Sequence, residues 1–392
     1  MKRSFKILLC AVAAMATLAL PVRSIAAVPQ GPTVSAAAAV LMEKETGRVL
    51  YEQNAHEAMP PASVTKVMSL LVICEALNDG RLSLDDMVTC SDHAASMGGS
   101  QIFLEPGVQM SVRDLLKSVV LGSANDAIVA LAEHVAGSEP SFVEMMNARA
   151  KELGMNDSSW KNACGLDVEG HVTSAYDIAL MSRALLLEYP DIKQYTTIWM
   201  DSVRGGEFQL ANTNKLVRSY NGITGLKTGY TSTAGHCLSA TAERDGMELV
   251  CAILKGPSSA ERFEAAKQLL DYGFANYALA DLSAGGDELQ PIPVNMGKAE
   301  RVAVAPEGGT KMLVERAQLS SLEHEAVLPD MLEAPVTAGD ALGEVIVRAG
   351  GEELCRIPVV ATESVERLGF GDIYSRLLER LFMGSGVEDP ES

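Results

Sequence analysis

Nowhere in its 392 residues does the chain carry a C-x-x-C pair, and its six histidines, His56, His93, His134, His171, His236 and His324, never fall at metal-ligand spacing. The pattern offers neither a zinc site nor a redox dithiol, and it implies no metal and no organic cofactor. Positive charge is scarce: 32 Lys and Arg stand against 51 Asp and Glu, a formal net charge of −19. So acidic a balance, with no basic patch interleaved with aromatics, argues against nucleic acid as a partner. After the first 27 residues no apolar run approaches the ~18 residues of a membrane-spanning helix. The cysteines Cys74, Cys90, Cys164, Cys237, Cys251 and Cys355 are scattered and sit in apolar contexts such as Val72-Ile73-Cys74. Buried thiols fit that distribution better than a framework of bridges.

The N-terminus reads as a secretory leader. Met1-Lys2-Arg3-Ser4-Phe5-Lys6 is basic, Ile7 to Leu20 is apolar, and Ser24-Ile25-Ala26 or Ile25-Ala26-Ala27 offers small residues for cleavage. Cys10, inside the apolar run, is a poor match to a lipoprotein site. Residues 1–26 are therefore expected to be removed, leaving an exported, unlipidated protein on the outer face of the cytoplasmic membrane or in the cell wall or periplasm.

The remaining length exceeds one ordinary core, so two domains are expected. Mixed helix and strand signals run from Val34 to Tyr277, an α/β (α+β) pattern of a sheet packed against a helical region, with helices predicted at 112–121, 126–136, 140–153, 174–187 and 259–276. Ala234 to Ala242 and Met247 to Leu254 read as strands joined by the turn Arg244-Asp245-Gly246. Beyond Leu282-Ser283-Ala284-Gly285-Gly286, short alternating runs such as Arg301-Val302-Ala303-Val304, Lys311-Met312-Leu313-Val314 and Glu344-Val345-Ile346-Val347 read as a small all-β module. Last, Phe370, Ile373, Tyr374, Leu377, Leu378, Leu381 and Phe382 fall at helical spacing, an amphipathic helix able to lie on a membrane or to dock on the protein itself.

Three motifs carry the chemistry: Ser63-Val64-Thr65-Lys66, Ser123-Ala124-Asn125 and Lys227-Thr228-Gly229. Each alone fits something blander: a capped helix with a surface lysine, an N-cap, a glycine-rich hairpin. Their order matches the S-x-x-K, S-x-N, K-T-G set of serine acyl-transferases that act on D-alanyl peptides and β-lactams. Pro60-Pro61-Ala62-Ser63 precedes a helical run, so Ser63 is expected at a helix start, with Lys66 on the same face as a potential base. Gly222-Ile223-Thr224-Gly225-Leu226-Lys227-Thr228-Gly229-Tyr230-Thr231 reads as a sheet edge that an extended peptide can join, with Lys227 and Thr228 offering a cation and a hydroxyl to a terminal carboxylate.

With Pro60 to Lys66, Gly122-Ser123-Ala124-Asn125-Asp126-Ala127 and Gly225 to Thr231 followed by Ala234-Gly235, the chain resembles the D-alanyl-D-alanine carboxypeptidases, the low-molecular-weight penicillin-binding proteins. The resemblance covers nearly the whole length. It implies a β-lactamase/transpeptidase-like catalytic domain at 28–280, a small β domain at 286–366 and an amphipathic helix at 369–384 that anchors some relatives to a membrane surface. It further implies peptidoglycan stem peptides ending in D-Ala-D-Ala as substrate and β-lactams as covalent inhibitors. Carried over position by position, Ser63 forms the acyl-enzyme, Lys66 is its base, and Ser123 and Asn125 relay protons and hold the substrate amide. Lys227 and Thr228 hold the carboxylate, and the amides of Ser63 and Tyr230 form the oxyanion hole; Gly229, one of the glycines of this strand that let a ligand backbone approach closely, counts with the substrate-binding residues. Where some relatives carry an arginine upstream of the K-T-G strand this chain has Asn212-Thr213-Asn214, with Arg204 or Arg218 as candidate substitutes.

Three rivals share the chemistry. A serine β-lactamase adds an E-x-x-L-N glutamate between the second and third motifs; here the nearest match, Glu75-Ala76-Leu77-Asn78, is one residue short and lies on the Ser63 helix. A penicillin sensor carries membrane-spanning segments. An endopeptidase acting on cross-links differs in nothing the sequence reveals.

Overall fold

A computed structural model describes residues 31–281, 289–308 and 310–383 of the chain. The expected leader, the Leu282–Gly286 linker and the acidic tail from Glu388 lie outside the described residues.

Five antiparallel strands form the central sheet: β1 (Ala38–Glu43), β2 (Val49–Gln53), β3 (Ile223–Thr231), β4 (Gly235–Arg244) and β5 (Met247–Gly256), in the order β2-β1-β5-β4-β3. Both faces are covered, so the central strands read as continuous apolar runs instead of alternating. Ala38, Val40 and Met42 of β1 join Val250, Ala252 and Leu254 of β5 under the helical region. The intervening Ala39, Leu41, Leu249, Cys251 and Ile253 pack on the other face against Phe263, Leu269 and Leu270. Asp245 (φ 51) and Gly246 (φ 76) make a two-residue turn between β4 and β5, where Arg244-Asp245-Gly246 was expected, Arg244 being the last residue of β4. The K-T-G strand β3 pairs only with β4 and is an edge of this sheet.

Seven longer helices follow in chain order: α1 (Lys66–Asn78), α2 (Val112–Gly122), α3 (Asn125–Ala136), α4 (Glu139–Glu152), α5 (Ala175–Glu188), α6 (Ser259–Asn276) and α7 (Phe370–Met383). Serine starts four of them. The hydroxyls of Ser111, Ser138, Ser174 and Ser258 accept from the backbone N–H three residues on, satisfying a donor that the first turn leaves orphaned. The predicted start of α5 at 174 is thus one residue early, because Ser174 is the cap and not a helical residue.

Two expectations shift in detail. Ser63 sits in a 3-10 turn, Ala62–Thr65, and the α-helix begins only at Lys66. The run Arg301-Val302-Ala303-Val304 does not form one strand: Arg301–Val302 and Val304–Pro306 belong to different sheets. Ala303 leaves the ladder between them, its carbonyl accepting from the Thr362 amide and its amide donating to Glu363. The C-terminal region is otherwise all-β, built around a four-stranded sheet of Val304–Pro306, Glu352–Ala361, Ala341–Ala349 and Leu322–Val327. It is followed by α7.

Candidate active site

The three motifs converge. Lys66 is fully buried, and its Nζ reaches three oxygens: Asn125 Oδ1 at 2.6 Å, the Cys164 carbonyl at 2.7 Å and Ser63 Oγ at 3.0 Å. Burial lowers its pKa from 10.5 to about 8, against an upward pull from Cys164 and Asp126. A neutral amine has two hydrogens and one lone pair. Asn125 and the Cys164 carbonyl can only accept, so they take the hydrogens, and the lone pair is left facing the Ser63 hydroxyl. The geometry therefore prepares Lys66 to receive the serine's proton.

Helix ends and glycines hold these groups in place. The chain breaks at Ser123, which takes left-handed φ/ψ (60, 29) after α2, and Asn125 then opens α3. Ser123 and Asn125 are each 4% exposed, so both side chains sit at the buried junction of the two helices. The Asn125 amide side chain donates to the Gly98 carbonyl at 2.6 Å and its backbone N–H to Ser100 O at 2.7 Å, fixing the 98–104 loop beside it. Asp126, missed by motif reasoning, accepts from the Ile102 and Leu104 amides and so pins the same loop.

On the other side, β3 presses against the turn that carries Ser63. A Cβ on Gly229 would lie 2.7 Å from the Pro61 carbonyl and 3.0 Å from the Ser63 nitrogen, closer than real side chains come. Gly165 does the same from the 162–172 loop: its Cβ would sit 1.9 Å from the Ala62 carbonyl. Glycine is required at both positions by contact with backbone, which cannot move aside. Arg262 on α6 donates to the Gly229 carbonyl at 2.8 Å and the Cys237 carbonyl at 3.1 Å. The carbonyl and the next N–H of a trans peptide point in opposite directions, so the Tyr230 N–H is turned away from Arg262. The Tyr230 side chain itself is 60% exposed and stacks on His236.

Lys227 is buried, and its Nζ donates to the Thr228 carbonyl at 3.0 Å. Desolvation drives its pKa well below the lysine range, with the like charges of Lys66 and Arg262 adding to the effect. Thr228 Oγ1 donates to Thr213 Oγ1 at 2.7 Å. The hydroxyl beside Thr228 is thus supplied by the Asn212-Thr213-Asn214 segment itself. Neither arginine considered from sequence is seen at Thr228: Arg218 stacks over Trp199, and Arg204 donates to the Phe103 carbonyl. Asn214 is buried and donates to the Gly225 carbonyl at 3.0 Å, and Asn212 to those of Thr196 and Ile198, which explains the paired asparagines.

Sequence reasoning missed one further network. The Lys161 N–H donates to His171 Nδ1 at 3.0 Å, which leaves the proton on Nε2 to donate to Thr65 Oγ1 at 2.8 Å. Thr65 in turn donates to the Ala62 carbonyl at 2.8 Å, bracing the turn that carries Ser63. Burial beside Trp160 lowers the His171 pKa from 6.5 to about 4, so the ring is neutral at ordinary pH. Among the described residues no cluster of His, Cys, Asp or Glu could hold a metal, and none of the six described cysteines is paired.

Comparison with known proteins adds a lineage. A family model for D-alanyl-D-alanine carboxypeptidase matches residues 25–258, and one for the penicillin-binding protein 5 C-terminal domain matches residues 277–367. The D-alanyl-D-alanine carboxypeptidase DacF of Bacillus subtilis is 40% identical over 339 residues, covering 86% of this chain and 87% of the relative. Among solved structures, penicillin-binding protein 5 from Haemophilus influenzae superposes with a TM-score of 0.75 at 29% identity, over 86% of this chain and 99% of that one. Penicillin-binding protein D2 from Listeria monocytogenes, solved in its ampicillin-bound form, matches with a TM-score of 0.57 at 33% identity, over 62% of this chain and 100% of the other.

Proposed function

The chain belongs to the D-alanyl-D-alanine carboxypeptidase family and is a serine carboxypeptidase, and on that premise we propose which of its groups perform each step. Ser63 attacks the carbonyl of the penultimate D-alanine of a peptidoglycan stem peptide while Lys66 takes its proton. The bond to the terminal D-alanine breaks, that residue leaves as the free amine after protonation through Lys66 and Ser123, and an ester to Ser63 remains. Water then enters beside Lys66, gives up a proton, attacks the ester and regenerates the hydroxyl. The amides of Ser63 and Tyr230 receive the oxyanion in both tetrahedral intermediates. The observation that carries this reading is the Lys66 amine, held by two firm acceptors with its remaining direction on Ser63 Oγ.

The peptide lies along the free edge of β3 as an added strand. Asn125 meets its amide, and the hydroxyls of Thr228 and Thr213 meet its terminal carboxylate. Buried behind them, Lys227 supplies the positive potential, its proton becoming more favourable when the anion arrives. The same pocket takes β-lactams as lasting acylating agents. The hydrolytic glutamate of a β-lactamase has no counterpart: Glu75 lies nine residues along α1 from Lys66, roughly 14 Å at the helical rise.

Residues 1–26 direct export. The helix α7 leaves Phe370, Tyr374 and Leu377 exposed on one side, at 87%, 57% and 60%, which supports peripheral attachment to a membrane surface. No helix among the described residues is long and apolar enough to cross a membrane.

Incubation of the protein with a D-Ala-D-Ala peptide, measuring released D-alanine, tests the reading. Turnover is expected, and Ser63→Ala should lower it by about 10⁴-fold or more. Retention of turnover in Ser63→Ala, or rapid hydrolysis of β-lactams with no release of D-alanine, would refute it.

A further inference from the structure

The structure brings together, beside the loop held by Asn125 and Asp126, three side chains from segments a hundred residues apart. Phe103 belongs to the loop pinned by Asn125 and Asp126. Arg204 and Phe208 belong to the hairpin of Met200–Val203 and Phe208–Ala211, which leads directly into Asn212-Thr213-Asn214. The Arg204 guanidinium donates to the Phe103 carbonyl at 3.1 Å and lies 5.7 Å from the centre of the Phe208 ring. The two rings meet edge-on at 6.4 Å.

Three features set this cluster apart from ordinary surface. Phe103 is 67% exposed in a chain with few aromatics, and it holds a left-handed backbone (φ 57) that a bulky residue avoids without cause. Arg204 has the same unusual backbone (φ 54), followed by Gly205 and Gly206 at positive φ, so the hairpin is shaped to turn its guanidinium toward the loop. Among the described residues Arg204 forms no ion pair with a carboxylate, although Asp and Glu outnumber Lys and Arg in the chain. Both supports end on the site: Phe103 is three residues from Ser100, which holds the Asn125 amide, and the hairpin ends on Thr213, bonded to Thr228. At ~3.5 Å per extended residue, Phe103 is within about 10 Å of that anchor.

We propose that Phe103, Arg204 and Phe208 form a specificity subsite for the residue preceding D-Ala-D-Ala, recognising a long side chain that ends in a carboxylate. The aliphatic part covers the Phe103 ring, and the carboxylate makes a forked pair with Arg204. The subsite rests on the carboxypeptidase reading but adds to it: it selects which stem peptide is used. Arg204 acts on substrate binding and takes no part in the bond-making steps.

The test compares two synthetic peptides ending in D-Ala-D-Ala. They are identical except that the preceding residue carries either a side-chain carboxylate or the corresponding amide. D-alanine release is measured for the full-length protein and for Arg204→Gln and Phe103→Ala. The native protein should favour the carboxylate peptide by about tenfold in kcat/KM, mostly through KM. Arg204→Gln should erase that preference, its loss falling far more on the carboxylate peptide than on the amide peptide, and Phe103→Ala should weaken both peptides through KM alone. Equal use of the two peptides by the native protein, or an equal loss on both in Arg204→Gln, overturns the subsite while leaving the carboxypeptidase reading intact. No release from either peptide overturns both.

Discussion

At the scale of single residues, the site depends on what each neighbour can donate or accept. Because Lys66 has a pKa of about 8, only about a tenth of it is neutral at pH 7, and the competent fraction grows as pH rises. Acylation by peptide or β-lactam should therefore climb with pH and level off above about 8, read from the second-order rate constant between pH 6 and 10. Lys66→Arg should abolish acylation, since a guanidinium keeps its proton throughout that range; a variant retaining the native profile would exclude Lys66 as the base. Gly229→Ala should cost about 100-fold or more in acylation with little change in circular dichroism, because its methyl must displace either the Pro61 carbonyl or the Ser63 amide. These two residues differ in how visible they were. Lys66 and Gly229 both lie in recognisable motifs, but only the lysine's role follows from residue type. The glycine's contact with Pro61 and Ser63 joins positions far apart in the sequence, and no local pattern encodes it.

At the scale of elements, the turn Ala62–Thr65 is stabilised from outside itself. His171 reaches across to Thr65, the turn's own last residue, whose hydroxyl holds the Ala62 carbonyl. The ring is neutral in the fold and charged in the unfolded chain between pH 4 and 6.5, so the unfolded state binds the extra proton there and stability rises with pH across that window. As pH falls from 6.5 to about 4, His171 should remove roughly 3 kcal/mol of stability. Urea unfolding at pH 4.5 and 7.5 should show that difference shrink in His171→Gln; an unchanged difference would remove His171 from the account. Helices and strands were the most legible level. Serine caps, the Asp245-Gly246 turn and the apolar runs of β4 and β5 fix local structure by local chemistry, so the predicted limits of the helices and of these two strands fall within a residue or two. The split at Ala303 was not legible, because the alternation of Arg301 to Val304 is continuous and what breaks it is a pair of bonds from Thr362 and Glu363, some sixty residues away. Asp126 and His171 were invisible as site residues for the same reason: each works through partners brought near only by folding.

At the scale of the whole molecule, the chain is acidic, and the last element among the described residues is a helix that exposes Phe370, Tyr374 and Leu377. The net negative charge disfavours anionic lipid, so any attachment must rest on apolar burial and should resist salt. Deleting residues 370–392 should shift the protein from the membrane fraction to the soluble one, with D-alanine release by the purified protein unchanged; identical partitioning of the two forms would rule out the anchor. The clamp of Gly165 and Gly229 on the Ser63 turn has a consequence in time. One jaw lies about a hundred residues downstream of Ser63 and the other more than a hundred and sixty. A ribosome releasing the chain from its N-terminus delivers the serine long before either jaw exists. On this geometry the turn that carries Ser63 is not braced until the last edge of the sheet has been made.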